Sequence, residues 1–158
     1  MQRNRYADVM TELGFRYRSA RVAPTEVDIE EYERHIGFRL PEDFREFIRD
    51  YGEITRPYGF SWHDDTGASV EWIDGIHKDS RNDFRTMEGC GLPPGYIAIA
   101  EASGGQIVYS VGPENHGHVY WIVLHEIPDD GSYQISAADD CLAHSFDEFI
   151  RSLRAVND

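Results

Sequence analysis

Three of the seven histidines in this 158-residue chain fall within eleven residues, HGHVYWIVLHE, spanning His116 to Glu126. Three imidazoles and a carboxylate are the donor types of a zinc site, where ligands lie within about 2.1 Å of the metal. The spacing argues against one ion. In a strand, side chains alternate between faces, so His116 and His118 share a face while His125, seven residues after His118, points the other way. Seven strand residues also span roughly 23 Å at about 3.3 Å each. Asn115 and Gly117 are turn residues. The six residues that follow, Val119 to Leu124, are apolar on both faces, as in a strand covered on both sides. The segment therefore reads as a turn feeding a buried strand, and no metal is expected.

Other reactive groupings fare no better. His63-Asp64-Asp65 is a carboxylate-rich stretch without the alternating ligands and distal Glu of a calcium loop. It reads either as a solvated loop or as a loop that contacts a partner. Trp62 and Trp72 flank it, which fits an interface core with a charged rim and fits ordinary packing equally well. Asp139 and Asp140 precede Cys141, and acidic neighbours oppose the thiolate a cysteine nucleophile needs. Ser103 and Ser110 lie in no nucleophile elbow. Neither Gly89-Cys-Gly91 nor Gly104-Gly105 is followed by the Lys-Ser/Thr and helix of a phosphate loop. The expectation is a protein that is not an enzyme and carries no cofactor.

Charge sharpens this. The chain carries −14, which opposes direct binding to nucleic acid or an anionic membrane. Residues 1–25 hold five Arg against Asp8 and Glu12, so the rest carries −17 with one lysine, Lys78. Solubility explains such a surface, and so does a match to a basic partner whose encounter it speeds. Two cysteines, Cys90 and Cys141, match no zinc spacing and fit a reducing cytoplasm. No apolar run approaches the roughly 20 residues of a membrane span. The first residues have no apolar stretch after their basic ones, unlike a secretory signal.

The positioning elements follow from periodicity. A short helix is expected between Arg5 and Phe15, ending at Gly14. A second is expected from about Asp28 to Ile36, capped by Asp28 with Glu31 and stopped by Gly37. A third starts at Pro41, carries the stripe Phe44, Phe47, Ile48, Tyr51, and ends at Gly52. The last opens on Ser145 and Glu148 as a capping box, with Phe146, Phe149, Ile150 and Leu153 on one face. Between them, residues 68–76, 96–100, 106–111 and 119–126 are rich in β-branched and aromatic types, with a short helix possible over 79–88. Ser103-Gly104-Gly105 and the run Pro113 to Gly117 read as hairpin connections. Helices, then strands, then a helix give an α+β fold.

Two stretches carry a family resemblance. Residues 29–52, IEEYERHIGFRLPEDFREFIRDYG, resemble the opening of the SUKH superfamily, which includes a fungal cell-wall assembly and killer-toxin-resistance regulator. The matching positions are Glu33, Gly37, Leu40, Pro41, Asp43, Phe44 and Phe47. Residues 92–126 are similar to the family's strand–turn–strand and to a closing strand that ends in His125-Glu126. The SFDEFI segment resembles its last helix. Tyr51-Gly52-Glu53 departs from the family's usual Asn-Gly-Gly, and residues 58–90 align with nothing in it.

The resemblance implies an α+β fold with a central, mostly antiparallel sheet, N-terminal helices and a C-terminal helix packed on it. Residues 1–25 would be an extension, with a short helix packed on a single domain of residues 26–158. The resemblance also implies a bacterial, cytoplasmic immunity protein that neutralises a cognate contact-delivered toxin, often a nuclease. The alternative it implies is a regulatory or scaffold module for an endogenous partner. It supplies no catalytic residues. The expected partner surface is Trp62, Asp64, Asp65, Glu71 and Asp74, which combine acid with aromatic anchors outside the shared core.

Overall fold

The computed structural model describes residues 5–13, 16–17, 24–51, 54–62, 69–73, 92–102, 105–123, 135 and 140–155. Along the chain run α1 (Ala7–Leu13), β1 (Arg16–Tyr17), α2 (Glu26–Ile36), α3 (Glu42–Tyr51), β2 (Ile54–Trp62), β3 (Ser69–Ile73) and β4 (Tyr96–Ala102). There follow β5 (Gly105–Ser110), β6 (Val119–Val123), β7 (Asp140–Ala143), α4 (Phe146–Ser152) and β8 (Leu153–Ala155). The fold is α+β. The strands form one sheet in the order β1-β2-β3-β4-β5-β6-β7, and β8 also pairs with β2. Every described ladder is antiparallel. Ile54 of β2 pairs with Tyr17 and Ile73, while Phe60 pairs with Ala155 and Val70. Hence β1 and β8 share the side of β2 opposite β3, one at each end.

Side-chain alternation explains where the core sits. Ile107 and Tyr109 of β5 and Val119 of β6 belong to the larger core cluster, together with α1, α2, α3 and α4. Their neighbours Val108, Tyr120 and Ile122 belong to a smaller cluster with Leu92, Tyr96, Ala98 and Ile135. Val119–Tyr120 thus contributes to both faces, as the two-sided apolar pattern predicts. In β4 the alternation breaks: Ile97, Ile99 and Ala100 all join the larger cluster. The β4–β5 register shifts between Ala98 and Ala100, which leaves Ile99 as the extra residue of a bulge and resets the alternation.

On the helical side the larger cluster is a set of rings around Phe146. Its ring centroid lies 5.0 Å from Phe44 and Phe47, 6.0 Å from Tyr6 and Tyr109, and 6.3 Å from Phe149. These separations lie in the range where tilted and edge-on aromatic pairs attract. The α3 stripe is buried as expected, and so is Arg45 at 6% exposure, which no apolar stripe marks.

Helix boundaries hold one correction. The α2 cap is Thr25, three residues before the expected Asp28. Thr25 Oγ1 accepts from the Asp28 backbone N–H at 3.2 Å, and the Asp28 carboxylate accepts from the Thr25 N–H at 2.9 Å. Asp28 is therefore the N3 partner of a box whose cap is Thr25. The helix begins three residues earlier because the Thr25 hydroxyl oxygen accepts the Asp28 N–H while the Asp28 carboxylate is used on the Thr25 N–H. Gly37 ends α2 at φ 83°, where its N–H reaches the Glu33 carbonyl. At α4, Ser145 caps the Glu148 N–H, but Glu148 turns to the His144 N–H. Leu153 is buried as expected, yet it is extended (ψ 145°) and opens β8. Residues 14 and 52, the expected stops of α1 and α3, and the expected helix over 79–88 lie outside the described residues.

Candidate functional site

The histidine segment resolves into turn and strand. Asn115 and Gly117 both take positive φ, 51° and 86°. His116 Nδ1–H donates to the Gly112 carbonyl at 3.0 Å, closing the turn. His118 stacks on His144, with centroids 4.7 Å apart and planes 21° from parallel. Lone pairs in the planes of stacked rings run side by side and do not converge on one ion. Among the described residues no group of three or more His, Cys, Asp or Glu could hold a metal. His125 and Glu126 lie outside those residues. Cys141 is exposed, its Sγ donates to the Ala143 carbonyl at 3.4 Å, and its thiol pKa is pushed up by partial desolvation, with Glu148 adding to it. Among the described residues the acid acting on it is Glu148 on α4; Asp139 and the side chain of Asp140 lie outside them.

Two of the positions that carry the family resemblance, Glu33 and Asp43, anchor a structural latch. Glu33 grips Arg45 with both oxygens, at 2.9 and 3.3 Å, and takes the Leu40 backbone N–H at 2.6 Å. Glu26 closes on the third nitrogen of the same guanidinium. These hydrogen bonds, Glu33 first, raise the Arg45 pKa, so the fork stays charged in its buried place. Asp43 plays a similar part in the same first turn of α3. It accepts from the Tyr109 hydroxyl at 3.3 Å and from the Asp147 backbone N–H at 3.0 Å, joining α3, β5 and α4. Burial and then Asp43 push the Tyr109 hydroxyl well above the ordinary tyrosine range.

Sequence reasoning named Glu33 as a position of the resemblance but missed Arg45, Glu26 and the ion pairs that join them. The available signal was Glu33 and Arg45 twelve residues apart across a Gly37–Pro41 turn, a spacing that brings the end of one helix to the start of the next.

The expected partner residues divide. Trp62 ends β2, paired with Leu153 of β8. Glu71 lies in β3 where the registers to both neighbours shift: Val70 and Trp72 pair with Phe60 and Thr55 on one side, and with Ala102 and Glu101 on the other. The structure therefore brings Trp62 and Glu71 into one hairpin, β2–β3. Asp64, Asp65 and Asp74 lie outside the described residues. Among the described residues, no helix is long and apolar enough to cross a membrane.

The model of the SMI1 / KNR4 family (SUKH-1) matches residues 23–152, most of the chain. Among curated proteins, none matches it.

Proposed function

The chain belongs to the SMI1 / KNR4 family (SUKH-1), and from that membership together with its −14 charge we propose that it is an immunity protein for a protein toxin. It binds a cognate, contact-delivered toxin domain in the cytoplasm and neutralises it stoichiometrically. The observation that carries the reading is the family match over residues 23–152. The charge supports the kind of partner: a nuclease toxin needs a basic groove for its polyanionic substrate, and an acidic protein is suited to occlude it. The contact surface centres on the β2–β3 hairpin, with Trp62, Asp64, Asp65, Glu71 and Asp74. Trp62 and Glu71 share that hairpin, and irregular ladders such as the one at Glu71 are common beside functional sites. No step of catalysis, no cofactor and no metal enter this reading.

Co-expression with the toxin domain encoded beside it is the test. Restored growth and a co-purifying complex are expected. Unrelieved toxicity with no complex rejects that partner. A regulatory module for an endogenous protein is the alternative, and capture of one host protein at unit stoichiometry from cells without a toxin locus would favour it.

A further inference from the structure

Six arginines have described side chains, and four of them are spent inside the molecule. Arg5, Arg45, Arg49 and Arg151 each sit within 4.0 Å of a carboxylate. Arg34 and Arg39 are exposed and engage no carboxylate among the described residues. In a chain of net −14 with twice as many acids as bases, two idle guanidinium groups are unexpected. Both line one open groove of about 530 Å³ beside α2 and the turn that follows it.

The groove is mixed in character. Glu26 and Glu33 border it but are held by Arg45. Glu30 also lines it, four residues before Arg34, the spacing and order that favour an ion pair on a helix. No such pair forms, so Glu30 and Arg34 both remain available. Half-buried Phe38 supplies an apolar wall, and at Gly37 even an added Cβ would meet nothing within 4 Å. On the same helix, Val27 is 66% exposed, the single exposed large hydrophobic among the described residues. It lies seven residues before Arg34 and so on the same side of α2.

We propose that this groove docks an extended segment of a partner protein, with an acidic side chain held between Arg34 and Arg39 and an apolar neighbour against Phe38 and Val27. Guanidinium forks recognise carboxylates through paired donors. The three glutamates and the overall charge repel a polyanion, so a nucleic-acid backbone is disfavoured while an isolated acid flanked by neutral or basic residues fits. A basic residue in the segment would meet Glu30. The inference goes beyond the immunity reading and does not depend on it, since the groove lies on α2 and any protein partner could use it.

The test is a titration of the isotope-labelled full chain, followed by the Gly37 and Arg39 amides and the Arg34 and Arg39 guanidinium signals. The probes are an acetylated Ser-Phe-Asp-Phe-Lys-Ser peptide, its Asn and Lys analogues at the Asp position, and oligothymidylate. The Asp peptide is expected to move those signals and to bind about tenfold more tightly than the Asn analogue, as a charge-assisted fork requires. Arg34→Glu with Arg39→Glu should invert the preference toward the Lys analogue. Both positions are exposed, and an unchanged melting temperature confirms that the variant folds. Equal response to Asp and Asn peptides, shifts confined to another surface, no response at all, or occupation of the groove by oligothymidylate would each overturn the proposal.

Discussion

Two arginine clusters tie this molecule together with the same chemistry in different surroundings. Arg45 has only 8% of its side chain exposed and satisfies Glu33 and Glu26 across the α2–α3 turn. Arg5 and Arg151 are about 40% exposed. They share Asp147, reach Glu46 and Asp8, and both sit over the Tyr6 ring at 5.7 and 5.8 Å. The first cluster cannot trade its partners for water; the second can. Geometry alone would rank them alike, and burial separates them. The second cluster also uses basic charge from the +3 stretch at residues 1–25 to pin α1 against α4, so part of that charge is internal and not a signal to an outside partner.

Removing one member of the buried cluster should cost most. Glu33→Ala leaves a buried guanidinium with one partner fewer and the Leu40 N–H without its acceptor, for a loss of about 3 kcal/mol. Urea unfolding with and without high salt would measure it, and the loss should barely respond to salt. Glu33→Leu with Arg45→Met should recover the part that comes from the unpaired guanidinium, because replacing a buried pair by apolar groups is often neutral, while the Leu40 N–H stays without its acceptor. A Glu33→Ala cost below about 1 kcal/mol would mean the two clusters do not differ.

High pH attacks the buried side from another direction. Burial, then Asp43, holds the Tyr6 and Tyr109 hydroxyls above the ordinary tyrosine range. Unfolded tyrosine ionises near 10. The stabilisation from neutral, buried Tyr109 is therefore complete below about pH 10 and is lost above it, at about 1.4 kcal/mol per pH unit. Unfolding midpoints against pH should show this limb, and Tyr109→Phe should flatten it. A phenolate absorbance titration near the ordinary pKa that is lost on Tyr109→Phe, showing Tyr109 itself ionising there in the folded protein, would contradict the account.

The exposed cluster should yield least. Arg151→Ala is expected to cost at most about 1 kcal/mol, falling toward zero at high salt. A loss as large and as salt-independent as that of Glu33→Ala would erase the contrast.

Much of this frame is legible in the sequence, for reasons that particular residues make clear. The α3 stripe, the Gly37 stop, the antiparallel pairing of β4 with β5 and the two-sided β6 all follow from local periodicity and turn chemistry. Strand β2 is not legible, because Pro57 and Gly59 punctuate it, and its pairing to β3 and β8 is decided by partners far along the chain. The four residues of β7 are too few for a period. Arg45 is missed because a stripe marks only apolar positions, while Glu33 draws a charged one inside. Of the candidate contact surface, the sequence picks residue types; their union in the β2–β3 hairpin is visible only for Trp62 and Glu71.

The most direct test of the functional reading is the association rate between this chain and a toxin domain that it protects against in co-expression, measured across ionic strength with Asp64→Lys and Asp65→Lys variants. Acidic steering predicts a wild-type on-rate that falls steeply as salt rises, and variants that associate more slowly and depend less on salt while dissociating at nearly the wild-type rate. An on-rate indifferent to both salt and charge reversal would contradict it.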